Sequence, residues 1–251
     1  KLPLGSKEGK DIKREIAISE QLFGVLTSFN KPVIFEAAVP YIGRDIHFYA
    51  AVPERFGESL SKQIRALWSE AEVSPAEDYN IFNYSGAVTA AFVSQKERAV
   101  LPIRTFEEIG ADTFIPMLGG LAEIEELGEG GSIQVVVQPA ASSYKKNIQS
   151  SLKSLKKGGS LKSVLGGGEG ISLSDFQDAL SPENAKKKEG EAKVTDDKAI
   201  DALERKSAKP LFRVNIRLVA SAATEYKAEA ILSSLSAGFS QFSAPFRNEL
   251  K

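Results

Sequence analysis

The sequence predicts an α+β fold of two ferredoxin-like (split βαβ) units, the second interrupted by a long flexible insertion. Three observations predict it. Phe212, Val214, Ile216 and Leu218 alternate with Arg213, Asn215 and Arg217, the period-2 signature of a strand with one buried face. The period then changes: Ala228, Ile231, Leu232, Leu235, Phe239 and Phe242 recur at helical spacing behind Thr224, which suits an N-cap. Finally, the order β-α-β-β-α-β can be laid along residues 11–84 and starts again after residue 85.

In chain order, residues 11–18 read as a short strand and Ser19 to Phe29 as a helix with Leu22, Phe23, Leu26 and Phe29 on one face. Lys31-Pro32 stops that helix. Val33, Phe35, Ala37 and Val39 alternate, as do Ile46, Phe48, Ala50 and Val52 after the turn at Pro40–Gly43, so a hairpin is expected. Pro53 opens a second helix with the stripe Phe56, Leu60, Ile64 and Leu67, ending near Trp68. A strand at 72–79 closes the first unit.

The second unit, 85–141 and 209–251, begins with a strand over 87–95. Thr105 and Glu108 have capping-box spacing, and Pro116 implies a break with a fresh helix start near Asp112. Gly128–Gly131 ends that helical stretch, and Ile133, Val135 and Val137 form a strand. Residues 142–208 are a Lys-rich insertion: an amphipathic helix near its start, then a Gly-, Lys- and Glu-rich linker with a short helix around 196–206. The chain ends nine residues past Phe242, so the closing strand of this unit is expected beyond Lys251. Because the chain starts at Lys1 and its single methionine is Met117, a segment of a longer protein is expected.

Composition narrows the chemistry. Hydrophobic residues at 42% and charged residues at 26% fit an ordinary globular chain of 251 residues. Lys plus Arg (32) nearly cancels Asp plus Glu (33), so only local charge can point to a partner. With no cysteine, disulfides, thiolate metal sites and cysteine nucleophiles are excluded. No apolar run approaches the roughly 20 residues that span a bilayer.

Candidate catalytic groups are few. His47, the only histidine, lies on the strand face opposite Ile46 and Phe48, where a solvent-facing role accounts for it. Glu77-Asp78 and Glu107-Glu108 are sequence neighbours, which rarely share one site. The cluster Gly166-Gly167-Gly168-Glu169-Gly170 lacks the preceding strand and following Lys-Ser/Thr of a phosphate loop, so it reads as linker. Arg213 and Arg217 share a strand face and suit phosphate or carboxylate, or simply solvent. No catalytic residue, metal ligand or cofactor is expected. The strongest binding signal is Lys145, Lys146, Lys153, Lys156, Lys157 and Lys162, free of acidic residues and set beside Ile148, Leu152 and Leu155. Such a helix suits an anionic membrane surface or a phosphate backbone. A solvated face accounts for it as well.

Three runs, Ile46 to Phe82, Leu101 to Ala140 and Leu211 to Phe242, with the Lys-rich insertion between the last two, carry a family resemblance. The chain from about Ile12 to Lys251 resembles the membrane-proximal region preceding the motor of bacterial type IV secretion or conjugation-type ATPases. In such proteins membrane helices typically come before this region, and a hexameric RecA-like motor with the phosphate loop follows. This chain has neither, so no nucleotide-binding or catalytic residue carries over. The resemblance implies a non-catalytic, cytoplasmic, membrane-proximal region that helps assemble or dock the motor. It also implies a homo-oligomer through the parent ATPase, with secretion-machinery proteins, an anionic membrane surface or DNA as partners. Two other classes compete: an independent nucleic-acid-binding α+β module, whose sheet would present aromatics to single strands, and a small-molecule enzyme enclosed by two α+β halves.

Overall fold

The five strands of the described residues join one antiparallel sheet. The structure, a computed structural model, describes residues 12–96, 99–109, 112–124, 127–157, 197–244 and 247–251. The strands are β1 (Val33–Val39), β2 (His47–Ala51), β3 (Ala87–Val93), β4 (Gly130–Pro139) and β5 (Phe212–Ala222), in the order β2-β1-β4-β5-β3. The helices are α1 (Ile12–Leu26), α2 (Glu54–Leu67), α3 (Phe106–Ile109), α4 (Phe114–Ala122), α5 (Ser142–Lys156), α6 (residues 197–208) and α7 (Glu225–Ala237).

The fold is therefore α+β as expected, but strands of both expected units share a single sheet. Two elements of the first unit, 11–84, differ. Residues 12–18 are helical, part of α1, where a strand was expected. The alternation of Ile16 and Ile18 with Glu15 and Ala17 gives way to the helical spacing of Ser19, Leu22, Phe23 and Leu26, and Leu22 and Leu26 bury against β1 and α2. Residues 72–79 form no strand. Pro75 removes a ladder donor there, and this stretch belongs to a strap that crosses the sheet instead of extending it.

Period-2 side-chain alternation and the strand register sort the sheet into two faces. Helices cover one. Under α4 and α7 lie Val39, Ile133, Leu218, Ala220 and Ala222, packed with Leu121, Ile124, Ile231, Leu235 and Phe239. Under α1 and α2 lie Val33 and Val137, packed with Leu22, Leu26, Phe29 and Leu60; the rings of Phe29 and Phe56 stack at 4.5 Å. The two clusters meet at Val135, which borders both. Thr224 caps α7 by accepting a hydrogen bond from the Lys227 amide at 3.3 Å, as its N-cap position anticipates. Asp112 accepts from the Phe114 amide at 2.8 Å, which starts α4 close to the expected place, and Pro116 fits because it lies within the first turn.

Part of the insertion is built into the fold. Ile148 and Leu155 of α5 are each only 3% exposed and pack with Leu203 of α6, with Val100 and Leu211 at the margin. The Gly-rich linker of residues 166–170 and Lys162 lie outside the described residues.

Candidate interaction surface

The sheet face opposite the helices is the most distinctive surface. Its side chains come from Ile34, Glu36 and Ala38 on β1, His47, Tyr49 and Ala51 on β2, alternate residues of β4, and Arg213, Asn215 and Arg217 on β5. Val88, Ala90 and Phe92 come from β3. No described helix covers them. Residues 69–86, the strap, cross one end of this face on their way from α2 to β3. Tyr79 of the strap stacks on Tyr49 at 4.2 Å with the rings nearly parallel. Asn83 donates its amide to the Ser221 hydroxyl at 2.9 Å and its side-chain NH2 to the Gly128 carbonyl at 3.0 Å. Gly130 is required beneath the strap, because a Cβ there would come within 2.2 Å of the Ile81 carbonyl oxygen.

Glu36 organises the polar part of the face. Its carboxylate accepts from the Ser132 hydroxyl at 2.5 Å, from the Gln134 amide at 3.1 Å, and from the Tyr79 hydroxyl. Burial, then the hydrogen bond to Glu36, pushes the Tyr79 phenol well above its ordinary range, so Tyr79 is a neutral donor here. Gln134 then accepts from Arg217 at 3.2 Å, and Arg217 also donates to Asn215 at 2.8 Å. A continuous chain of hydrogen bonds thus runs from the strap across β1, β4 and β5, holding one arginine in a fixed orientation. Next to it, Phe92 lies directly opposite Arg217 and is 67% exposed; Val88 is 53% exposed.

The residues singled out in the sequence are scattered. His47 is exposed on the same face, its ring 6.2 Å from that of Tyr49. Glu77 and Asp78 are exposed on the strap. Glu108 is engaged by Arg247 at 2.7 Å, and that hydrogen bond holds its carboxyl below the usual range. Arg213 and Arg217 do share one strand face. Among the described residues no group of His, Cys, Asp and Glu could hold a metal ion. No helix of the described residues is long and apolar enough to cross a membrane. The Glu36–Tyr79 link is not legible in the sequence, because its partners are 43 residues apart and Tyr79 ends a stretch whose pattern predicts a strand.

Lys145, Lys146, Lys153, Lys156 and Lys157 line the exposed side of α5, with Lys156 paired to Glu204 at 2.5 Å. The apolar stripe beside these lysines is turned inward onto α6. Any contact with an anionic surface must therefore be coulombic, about 1 kcal/mol per lysine. Changing these five lysines to Gln is expected to reduce sedimentation with anionic liposomes. Residual binding of the unsubstituted protein at about 1 M salt, where screening acts within about 3 Å, would contradict a purely coulombic contact.

Lys206 of α6 donates to the Ala99 carbonyl, and burial lowers its ammonium to about 8. An unfolded lysine titrates near about 10.4, so between these values the unfolded chain binds more protons than the folded one. Stability contributed by this group is then expected to rise as pH climbs from about 8 to about 10. Denaturant midpoints across that range test it, and Lys206→Met should flatten the rise.

Residues 16–249 match the model of a family described as Domain of unknown function (DUF8128). The chain belongs to that family. No curated protein and no solved structure matches it. Family membership spans both sheet halves and α5, so the strap, the open face and the lysine-bearing helix all fall within the family's boundaries.

Proposed function

We propose that this region is a non-catalytic accessory part of a type IV secretion or DNA-translocation ATPase, assembling or docking the motor at the cytoplasmic membrane face. The observation that supports it best is the half-covered sheet. Helices pack over most of one face, where Phe48 and Val214 stay exposed at its margins; the other carries a pre-ordered polar network and exposed Phe92 and Val88. A surface that is fixed in shape and partly apolar suits a protein partner. The resemblance of the three sequence runs supplies the class of partner.

The finer reading of the fold goes with it. β3 and β4 run parallel with β5 between them, and α4 links them over the covered face. That path, followed by α7, supports a split βαβ reading of the unit 85–141 and 209–251. The unit 11–84 supplies β1 and β2 to extend the same sheet.

Purified protein is expected to hydrolyse no ATP alone and to shift the sedimentation of a secretion-ATPase motor fragment when mixed with it. ATP turnover surviving a further purification step, or an unchanged motor profile, would overturn this reading. A second reading, a nucleic-acid-binding module, draws on Arg213, Arg217 and Phe92 sharing the open face, since arginine and an aromatic ring suit a single strand. Fluorescence anisotropy with single-stranded DNA, repeated on Arg217→Gln, separates the two.

A further inference from the structure

Among the strand residues of the open face, the charged side chains are Glu36, Arg213 and Arg217. The hydrogen bonds between two of them have a direction. A carboxylate only accepts, so Glu36 draws the Gln134 Nε2 toward itself at 3.1 Å and turns the Oε1 the other way. That oxygen accepts from Nη1 of Arg217, its directly opposite neighbour, at 3.2 Å. Asn215 Oδ1 accepts from the Arg217 Nε at 2.8 Å. Ser132 and Tyr79 donate to Glu36 as well and hold the start of the relay in place.

Both acceptors on Arg217 are neutral amide oxygens, so its charge is oriented without being neutralised. An arginine has five N–H donors. Two are used among the described residues, so three remain, and both hydrogens of Nη2 are among them. Ordering a long exposed side chain ordinarily costs a ligand part of its affinity. Here the neighbours have ordered the guanidinium before any ligand arrives. Arg213 is exposed on the same face, four residues along the strand, about 13 Å away at about 3.3 Å per residue. β5 has β4 on one side and β3 on the other, so a strand added at either edge of the sheet lies in its plane and leaves this site facing outward.

We infer that Arg217 is a carboxylate-receiving site: the open face takes an extended acidic segment of a protein partner, with one carboxylate on Arg217 and a second on Arg213. Charge complementarity carries this choice of occupant. The unused Nη donors suit the two oxygens of a carboxylate. A nucleic-acid backbone repeats its phosphate at every nucleotide and is met by a row of cations. Here two arginines stand about 13 Å apart, and the Glu36 carboxylate lies one residue behind the nearer of them. The chain as a whole, with 32 basic and 33 acidic residues, exerts no general pull on polyanions. In an extended segment, side chains four residues apart leave the same face at the same spacing of about 13 Å, so both arginines can be met at once. On a helix the same two side chains would lie only about 6 Å apart. The inference rests on the docking reading above, in that the occupant is a protein, and it names the chemistry of the part that docks.

Arginine Nε–H signals in a nitrogen-edited NMR spectrum report on the site directly. The probe is a capped five-residue peptide with glutamate at its first and last positions and serine between them. Titrated into the protein, it is expected to shift the Arg217 and Arg213 signals saturably, and a counterpart with glutamine at both ends is expected to shift neither. Arg217→Lys keeps the charge but loses the fork, and should weaken binding at least about tenfold, read from the backbone amides of β5. Gln134→Met removes the acceptor that aims the guanidinium without touching the ligand, and should weaken it about threefold. Arginine signals that do not move, equal shifts with both peptides, full affinity in Arg217→Lys, or tighter binding of oligothymidylate than of the diglutamate peptide would each overturn the inference. The titration needs no motor fragment, so its failure leaves the docking reading standing. An unchanged motor profile beside a positive titration would sink the docking reading alone.

Discussion

Replacing Gly120 by alanine is expected to destabilise the protein by about 2–3 kcal/mol, and by leucine to prevent folding, while alanine at the adjacent Gly119 is expected to be stabilising. The contrast follows from where α4 meets α7. A Cβ on Gly120 would come within 2.6 Å of the Leu235 amide nitrogen and 2.8 Å of the Ser234 carbonyl carbon, so it meets backbone, which cannot swing aside. The two helices would have to separate, opening the cluster of Leu121, Leu235 and Leu218 beneath them. Around Gly119 nothing lies within 4 Å, and there alanine simply gains helix propensity, about 1 kcal/mol. Chemical denaturation of the two variants side by side checks this. The same sign for both would mean that α4 and α7 are not in backbone contact.

Leu218→Ala is the second large effect, a loss of about 2–5 kcal/mol. Leu218 is fully buried in β5, pairs with Ile133 on one side and Ala91 on the other, and packs under α7. A cavity there is roofed by helix and floored by the ladder, so little can collapse into it. Val88→Ala, on the same sheet but on the exposed side, should cost no more than about 0.5 kcal/mol. Thermal or denaturant unfolding distinguishes these outcomes, and similar losses at both positions would contradict the assignment of covered and open faces.

The parts of the fold legible in the sequence are those whose signal is local. The hairpin β1–β2, helix α2, strand β5 and helix α7 each show their own periodicity and their own start or stop residue, such as Pro53 or Thr224. The parts that were not legible depend on distant residues. Residues 12–18 carry both a period-2 and a helical pattern, and burial of Leu22 and Leu26 against α2 decides between them. The strap has strand-like residues up to Tyr79, yet Tyr79 finds its partners in Tyr49 and Glu36 across the sheet face. The lysine-bearing helix showed its charge and its apolar stripe correctly, but Leu203, which covers that stripe, is 48 residues beyond Leu155. The open face was half visible: Arg213 and Arg217 were placed together, whereas the approach of Phe92 to Arg217 is a matter of strand order.

The docking role is tested most directly by hydrogen exchange on this protein alone and in complex with a secretion-ATPase motor fragment. Exchange reports opening and burial amide by amide. If the open face is the docking surface, the amides of β3 over Val88–Phe92 and of β2 over His47–Ala51 should slow on binding, while those of α1, on the covered side, should not change. Slowing confined to α1 and α2, or no slowing at all in a complex that demonstrably forms, would contradict it.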